Sequence, residues 1–295
     1  MPTELSLGLV VDRQSSDETR NAISCISGGV DSVTTTYYVS KVLKPKKQLL
    51  IFCNYKQRTY RYEEFCIKRI SQELGIPLKI INLDWLGDIS TSVLTHPQKE
   101  ITETKEEDLW DSAKARSRIL KWWDPCRNAI LLLVGLSHAE SFYISEGERY
   151  DVFIGIRRET PVAMKDNTPE FMQEINRLAE QATHHGGYRL LAPLITYDKD
   201  KVVKLGQELG VPWEYTYSCY AGHSFRTIGG RTLPVHCGIC SNDKRRALAF
   251  KMSGVHDPSL YSRPPIHDVE YEKPNGVYIQ KRTGKEDLAE SREKD

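Results

Sequence analysis

Short apolar runs alternate along this chain with longer segments in which apolar residues recur every three or four positions. Residues 22–26, Gln48–Asn54, 78–83 and 152–156 are of the first kind. Near-continuous apolar character over so few residues predicts parallel strands buried on both faces. Between them, residues 33–42 have a spacing that allows a helix, and Tyr60–Leu74 reads as a helix stopped by Gly75 and Pro77. Residues 128–145 form the strongest helical pattern, with Ile130, Leu131, Val134, Leu136 and Phe142 as its apolar contacts. Thr168-Pro169-Glu170 is a helix start, a Thr cap followed by Pro and then an acid in the first turn, and the helix is expected to reach Ala182. Asp198 opens another through Val202, Val203, Leu205 and Leu209, ended by Gly210 and Pro212, and residues 242–252 are again helical. Strand and helix in alternation predict an α/β fold with a doubly wound parallel sheet.

Three stretches break the alternation. Residues 85–124 have no clear period and are rich in Thr, Glu, Lys and Asp, the composition of an insertion or a lid. Residues 215–240 read as a polar loop. Pro274-Asn275-Gly276, between residues 269–271 and 277–279, is a hairpin signal, and the chain after Lys281 is a charged tail. With no internal repeat and no Pro/Gly/Ser linker, the expected organisation is an α/β domain over 1–214, a cysteine loop and helix over 215–265 packed on it, and a hairpin with its tail over 266–295.

Composition changes this picture little. At 295 residues, 39 % hydrophobic and 27 % charged, the chain suits a soluble globular protein. A net charge of +1 gives no support to broad nucleic-acid or membrane attraction. No apolar run approaches the length of about 18 residues that a membrane span needs, and the opening Met-Pro-Thr-Glu-Leu-Ser has no signal-peptide pattern. Seven cysteines, several of them single in apolar segments (Cys25, Cys53, Cys66), fit a reducing cytoplasm better than a disulfide framework.

The chemistry concentrates first in Ile26-Ser27-Gly28-Gly29-Val30-Asp31-Ser32, between the first strand and the first helix. A strand, a glycine turn and a helix N-terminus make an anion site: backbone N–H groups are unpaired there and the helix dipole favours negative charge. Ser27 and Ser32 add hydroxyls, and Asp31 is a carboxylate for Mg²⁺ against phosphates. No Lys-Ser or Lys-Thr follows the glycines, so this is not a Walker A loop. It resembles the PP-loop of the ATP pyrophosphatases, which implies that ATP is split to AMP and pyrophosphate while a substrate is adenylated. An open parallel sheet binds ligands at the carboxyl ends of its strands. That puts residues 27–32, Asn54-Tyr55-Lys56-Gln57 and Gly155-Ile156-Arg157-Arg158 on one rim, with Gln57 placed to read a nucleobase edge and Tyr55 to stack or donate.

A second group is Cys219 with Cys237-Gly238-Ile239-Cys240. Three thiolates are one ligand short of a closed tetrahedral zinc site. Asp243, at the next three-residue step, is the simplest fourth ligand, with His236 and His223 as rivals. Such a site is structural, holding a long loop against the sheet.

Longer stretches resemble the QueC family of PP-loop enzymes, the 7-cyano-7-deazaguanine synthases. Besides the loop at 27–32, they are Tyr55-Lys-Gln-Arg-Thr-Tyr-Arg-Tyr-Glu63, Pro125-Cys-Arg-Asn-Ala129, and a run over 169–250. That run includes Ala192-Pro-Leu-Ile195, Tyr217-Ser-Cys-Tyr220, the Cys237–Cys240 pair, Arg246 and Ala249-Phe250. The resemblance implies adenylation of 7-carboxy-7-deazaguanine, attack by ammonia to give the amide, and a second ATP-dependent step to the nitrile. It implies ATP, Mg²⁺ and Zn²⁺ as cofactors. Residues 27–32, Tyr55, Gln57, Arg127, Asn128 and Gly155 would lie around ATP, with Ser27, Asp31, Ser32 and Arg127 in the chemistry.

Two departures stand out. The family's fourth zinc cysteine is here Asp243, after a first spacing stretched by residues 221–236. The family's Gly-x-Asn-x-x-Asp loop after strand four is rewritten over 155–167. QueC-like proteins also occur in anti-phage defence operons, where some join the deazaguanine carboxylate to a protein amine, an outcome the rewritten loop would suit. A tRNA-modifying PP-loop enzyme and a non-catalytic subunit of a defence complex are the further alternatives, and a homodimer is the expected assembly.

Overall fold

The computed structural model describes residues 20–114, 120–157 and 164–282. The expectations on the N-terminus, on residues 158–163 of the rewritten loop and on the tail from 283 lie outside the described residues. Five parallel strands form the central sheet in the order β3-β2-β1-β4-β5. They are β1 (Asn21–Cys25), β2 (Gln48–Asn54), β3 (Leu78–Asn82), β4 (Tyr150–Ile154) and β5 (Leu190–Leu191). Residue alternation divides the core in two. Leu50 and Phe52 of β2 face α1 (Val30–Tyr38), α2 (Tyr60–Leu74), α6 (Lys199–Glu208) and α7 (Ser241–Ser253). Ile51 and Cys53 face α3 (Asp84–Ile89), α4 (Arg127–Glu146) and α5 (Pro169–Ala182). Both faces are covered, as continuous apolar strands require.

The elements follow the sequence pattern closely. Thr168 caps α5 through its hydroxyl, which accepts from Phe171 N–H at 3.2 Å, and Pro169 opens the helix. Gly75 closes α2 with φ 65°, a conformation that suits glycine. Two differences have physical causes. β4 starts two residues before the apolar run suggests, because Asp151 sits inside it, 4 % exposed and held by Arg189 Nε at 2.8 Å. β5 is two residues long, too short for any periodicity to register.

The expected polar loop over 215–240 is corrected by the structure. It contains an antiparallel hairpin, β6 (Ser224–Ile228) and β7 (Arg231–His236), turning at Gly229-Gly230 with φ of 58° and 77°. β8 (Leu260–Tyr261) adds to it in parallel. The stretched spacing between Cys219 and Cys237 is this hairpin. Its strands carry exposed Arg226, Thr227, Arg231 and Thr232, and that polarity masks them in the sequence. The Pro274–Gly276 turn joins two short strands, β9 (Tyr271–Glu272) and β10 (Ile279–Gln280).

Within 85–124, Val93 and Ile101 are buried in one cluster with Cys66, Tyr217 and the three cysteines of the second group. Backbone bonds tie the segment down at Arg58 N–H to Leu94 O (2.8 Å) and Thr104 N–H to Ile239 O (3.0 Å). These residues wall the cysteine loop.

Candidate active site and metal centre

The strand order reverses between β1, whose neighbours are β2 and β4, and the loop leaving β1 stands at that switch point, where open α/β sheets take ligands. Gly28 has φ 77°, and a Cβ there would meet Ile67 Cγ1 at 3.3 Å and Glu63 O at 3.4 Å. The loop therefore turns directly against the first turn of α2, a path that needs glycine. Ser32 Oγ receives Ser27 N–H at 3.1 Å, lies 3.1 Å from Ser27 Oγ and donates to Gly29 O at 3.2 Å, which fixes the loop as a cradle at the start of α1. Tyr217 N–H donates to Gly28 O at 2.8 Å, linking the cradle to the cysteine loop.

Above the cradle is a cavity of about 230 Å³. Ser27, Gly29, Val30, Asp31, Ser32, Tyr55, Gln57, Arg127, Asn128 and Gly155 all line it, so the tertiary fold brings nearly all the expected residues together. Gly28 lies behind, shaping the loop. Gly155 acts by being small: a Cβ there would stand 2.3 Å from Ser32 Cα and 2.5 Å from Ser32 N. Gly155→Ala is expected to push the end of β4 off the loop at an overpacking cost of about 1–3 kcal/mol. ATP titration and thermal melting should show both weaker binding and a lower melting temperature.

Asp31 is flanked by two cations, Arg157 Nε at 3.5 Å from Oδ1 and Lys199 Nζ at 3.5 Å from Oδ2. Asp31 Oδ1 is buried and accepts no hydrogen bond. A carboxylate oxygen in that condition fits a ligand to a hard cation such as Mg²⁺. Lys199 is a site residue that the sequence reading misses. A signal for it exists, since a lysine at the first position of α6 opposes the helix dipole unless an anion is near.

Arg127 likewise opens α4 against the dipole, behind Cys126 in the left-handed region (φ 53°). It pairs with buried Asp124 at 3.3 Å, and Asp124 accepts from Ser90 Oγ at 2.7 Å. Burial would lower the Arg127 pKa, but the carboxylates of Asp124 and Asp166 hold it above its ordinary value, so the charge is permanent. Burial raises the Tyr55 phenol, leaving it a neutral partner for Arg127. Asn128 donates to Asn167 Oδ1 at 2.9 Å.

Gln57 differs from expectation. Its Oε1 accepts from Tyr55 N–H at 2.8 Å, and its Nε2 donates to Cys53 O at 3.2 Å and Glu63 Oε2 at 3.0 Å. Both amide hydrogens are committed to the turn after β2 and to Glu63, so the side chain has no N–H left for a nucleobase.

The cysteines do meet. Ligand atoms of Cys219, Cys237, Cys240 and Asp243, all buried, lie within 4.8 Å of one another, the cluster of metal-ligand type among the described residues. Each sulfur receives backbone N–H groups: Cys219 from Ala221 and Cys237 (3.3 Å each), Cys237 from Cys240 and Cys240 from Asp243 (3.4 Å each). Hydrogen bonds from Cys219 and Cys240 push the Cys237 thiol down to about 5, while burial pushes the Cys219 and Cys240 thiols up. His236 does not compete for the fourth place; its Nδ1 lies 2.9 Å from Asp243 Oδ1, so it orients the carboxylate. His223 is exposed and outside the cluster. Cys219 also lines the cavity, so the centre backs the wall of the site.

Residues 21–254 match the family model described as Queuosine biosynthesis protein QueC. The chain belongs to the QueC family. It is 35 % identical over 240 residues to the 7-cyano-7-deazaguanine synthase of Methanothermobacter thermautotrophicus, covering 81 % of this chain and 98 % of that one. It is 36 % identical over 247 residues to the synthase of the same name from Methanocaldococcus jannaschii, with the same coverage. Among solved structures, the U34-tRNA thiolase NcsA of Methanococcus maripaludis aligns with a TM-score of 0.38 at 19 % identity, over 67 % of this chain and 60 % of that one, a likeness too distant to add to the family assignment. No helix among the described residues is long and apolar enough to cross a membrane.

Proposed function

We propose that this QueC-family chain is an ATP-dependent carbon–nitrogen ligase that makes 7-cyano-7-deazaguanine from 7-carboxy-7-deazaguanine. A carboxylate oxygen of the acid attacks the α-phosphorus of ATP and expels pyrophosphate. Ammonia then attacks the acyl carbon, AMP leaves, and the amide forms. A second ATP takes the amide oxygen in the same way, and loss of AMP and protons leaves the nitrile. The observation that carries this reading is the cradle of Ser27 and Ser32 at the switch point, facing Arg157 and Lys199 across one cavity in a member of this family.

The cradle N–H groups and hydroxyls bind the β- and γ-phosphates, and Arg157 and Lys199 exchange Asp31 for the departing pyrophosphate. Arg127, across the cavity, meets the acyl-adenylate. Charge preorganised in this way is commonly the main source of an enzyme's rate enhancement. Asp31 would hold Mg²⁺, which supplies neutralisation of phosphate charge. Cys219, Cys237, Cys240 and Asp243 would hold zinc, which supplies a cross-link of the loop behind Tyr217. The relatives are named for the small-molecule product, which favours ammonia over a protein amine.

The reading is tested by incubating the chain with ATP, Mg²⁺, ammonium and the acid, then following AMP and the products by mass spectrometry. AMP release that requires the acid, with the nitrile appearing, is expected. No AMP under these conditions sinks the reading, and a mass-shifted protein in place of the nitrile transfers it to a protein amine. The metal centre has its own check. One zinc per chain is expected, and strong chelation should expose three further thiols to a thiol reagent and weaken ATP binding, because the loop that holds Gly28 is released.

A further inference from the structure

We propose that Glu63 reads the paired donors of a guanine-like base, the ring N1–H and the exocyclic amino group of the acyl substrate. The inference rests on the adenylation reading above and adds the group that would choose the acid.

Two carboxylates line the cavity, Asp31 and Glu63. Asp31 belongs to the phosphate end, between Arg157 and Lys199. Glu63, in the first turn of α2, is held by neutral donors: Thr59 Oγ1 to Oε1 at 2.5 Å and Gln57 Nε2 to Oε2 at 3.0 Å. Burial raises the Glu63 carboxyl, and these two donors and the charge of Arg127 oppose that rise. Gln57 is itself locked by Tyr55 N–H and Cys53 O, so the plane of the carboxylate is referenced to the end of β2. Both Gln57 amide hydrogens are spent in this way, so Gln57 positions the group that does the reading.

An ionised carboxylate offers about four acceptor sites over two oxygens and no donor. Thr59 and Gln57 occupy one on each oxygen, leaving each oxygen a further lone pair. Two parallel acceptors match the two parallel donors on a guanine edge, the bidentate geometry that gives both strength and orientation. Adenine presents a donor beside an acceptor there, and its ring nitrogen would face a carboxylate oxygen with no proton between them. One cavity that takes both ATP and a deazaguanine acid needs such a discriminator. Tyr220, stacked on Trp122 at 4.7 Å between ring centroids, lines the same cavity.

The competing account makes Glu63 a brace for the start of α2, since its own N–H also donates to Thr59 O at 3.1 Å. Calorimetric titration separates the two. The full-length wild type, E63Q and E63D are titrated with 7-carboxy-7-deazaguanine, with its analogue lacking the 2-amino group, and with ATP·Mg²⁺, and each is melted. In the wild type, loss of the 2-amino group should weaken binding about ten- to hundredfold. In E63Q the acid should bind about that much more weakly and the analogue no worse than the acid, with ATP affinity and melting temperature as in the wild type. E63D, whose carboxylate is withdrawn by one methylene, should lose discrimination in the same way. E63Q and E63D that distinguish the two ligands as the wild type does overturn the proposal, and so does loss of base affinity only in step with ATP affinity and melting temperature. A wild type that binds ATP but not the acid removes the adenylation reading and this proposal with it.

Discussion

Asp31→Asn, nearly identical in shape, is expected to lower the rate of acid-dependent AMP formation by about 10²–10³-fold, the scale on which one preorganised electrostatic group is felt. Nucleotide binding should respond differently. Asp31 neutralises Arg157 and Lys199, each 3.5 Å away. In the amide variant the negative charge between these two cations is gone, so ATP without Mg²⁺ should bind at least as tightly as to the wild type. The stimulation of binding by Mg²⁺ should shrink, because the buried Oδ1 that accepts no hydrogen bond is the oxygen suited to the ion. A fall in kcat with KM for ATP held is the expected signature in steady-state assays. An unchanged kcat would remove Asp31 from the chemistry, and a collapse of ATP affinity would make it a structural residue of the loop.

The second large effect concerns stability. Arg246 is wholly buried on α7, with its Nε 3.2 Å from Asp257, its Nη1 donating to Thr216 Oγ1 at 2.8 Å and its Nη2 to Trp213 O at 3.2 Å. Tyr261 donates to the other side of Asp257 at 2.6 Å. Removing one partner of a buried pair leaves the other charged and unsatisfied, at a cost of about 3–5 kcal/mol. Arg246→Met should therefore lower the unfolding free energy by that amount in urea titrations. Arg246→Met with Asp257→Leu should recover part of it, since an apolar pair of similar volume is often tolerated. Burial alone would raise the Asp257 carboxyl, but Arg246 holds it below its ordinary value. The stabilisation is thus present above the ordinary carboxylate range and is lost as pH falls through the lowered value, and Arg246→Met should flatten this dependence. The damage should reach the site, because Thr216 precedes Tyr217, whose N–H holds Gly28. A loss below about 1 kcal/mol, the range of an exposed pair, would contradict this account.

Much of the architecture is legible in the unfolded chain. The apolar runs mark the central sheet's longer strands, because strands packed under helices on both faces are mostly apolar. The serine–glycine loop is legible because the cradle proposed for phosphate is local, built from consecutive backbone groups and hydroxyls within residues 27–32. The three cysteines are legible as a set because residues suited to one metal centre keep their chemical type wherever they stand in the chain. The choice of Asp243 over His236 is not, since spacing cannot say which of two side chains turns inward and which supports it.

The hairpin at Gly229-Gly230 is hidden in the sequence because its strands are short and half-exposed, so their polar residues read as loop. Lys199 stands 168 positions from Asp31, and no local pattern links them. Gly155 reads as a ligand contact, while its place is decided by the 2.3 Å between a Cβ there and Ser32. Gln57 reads as a base-contacting amide and is a fastener, because its partners are the turn it belongs to.

The sequence alone thus carried the fold class, the serine–glycine loop at a helix start and the grouping of Cys219, Cys237 and Cys240. Each rests on residue type at short spacing. The tertiary structure alone decided which charges face one another across the cavity, which glycine is there for space, and how the cysteine loop is fastened to the cradle. Those depend on contacts between strand ends that lie far apart in the chain and meet only where the sheet reverses its strand order.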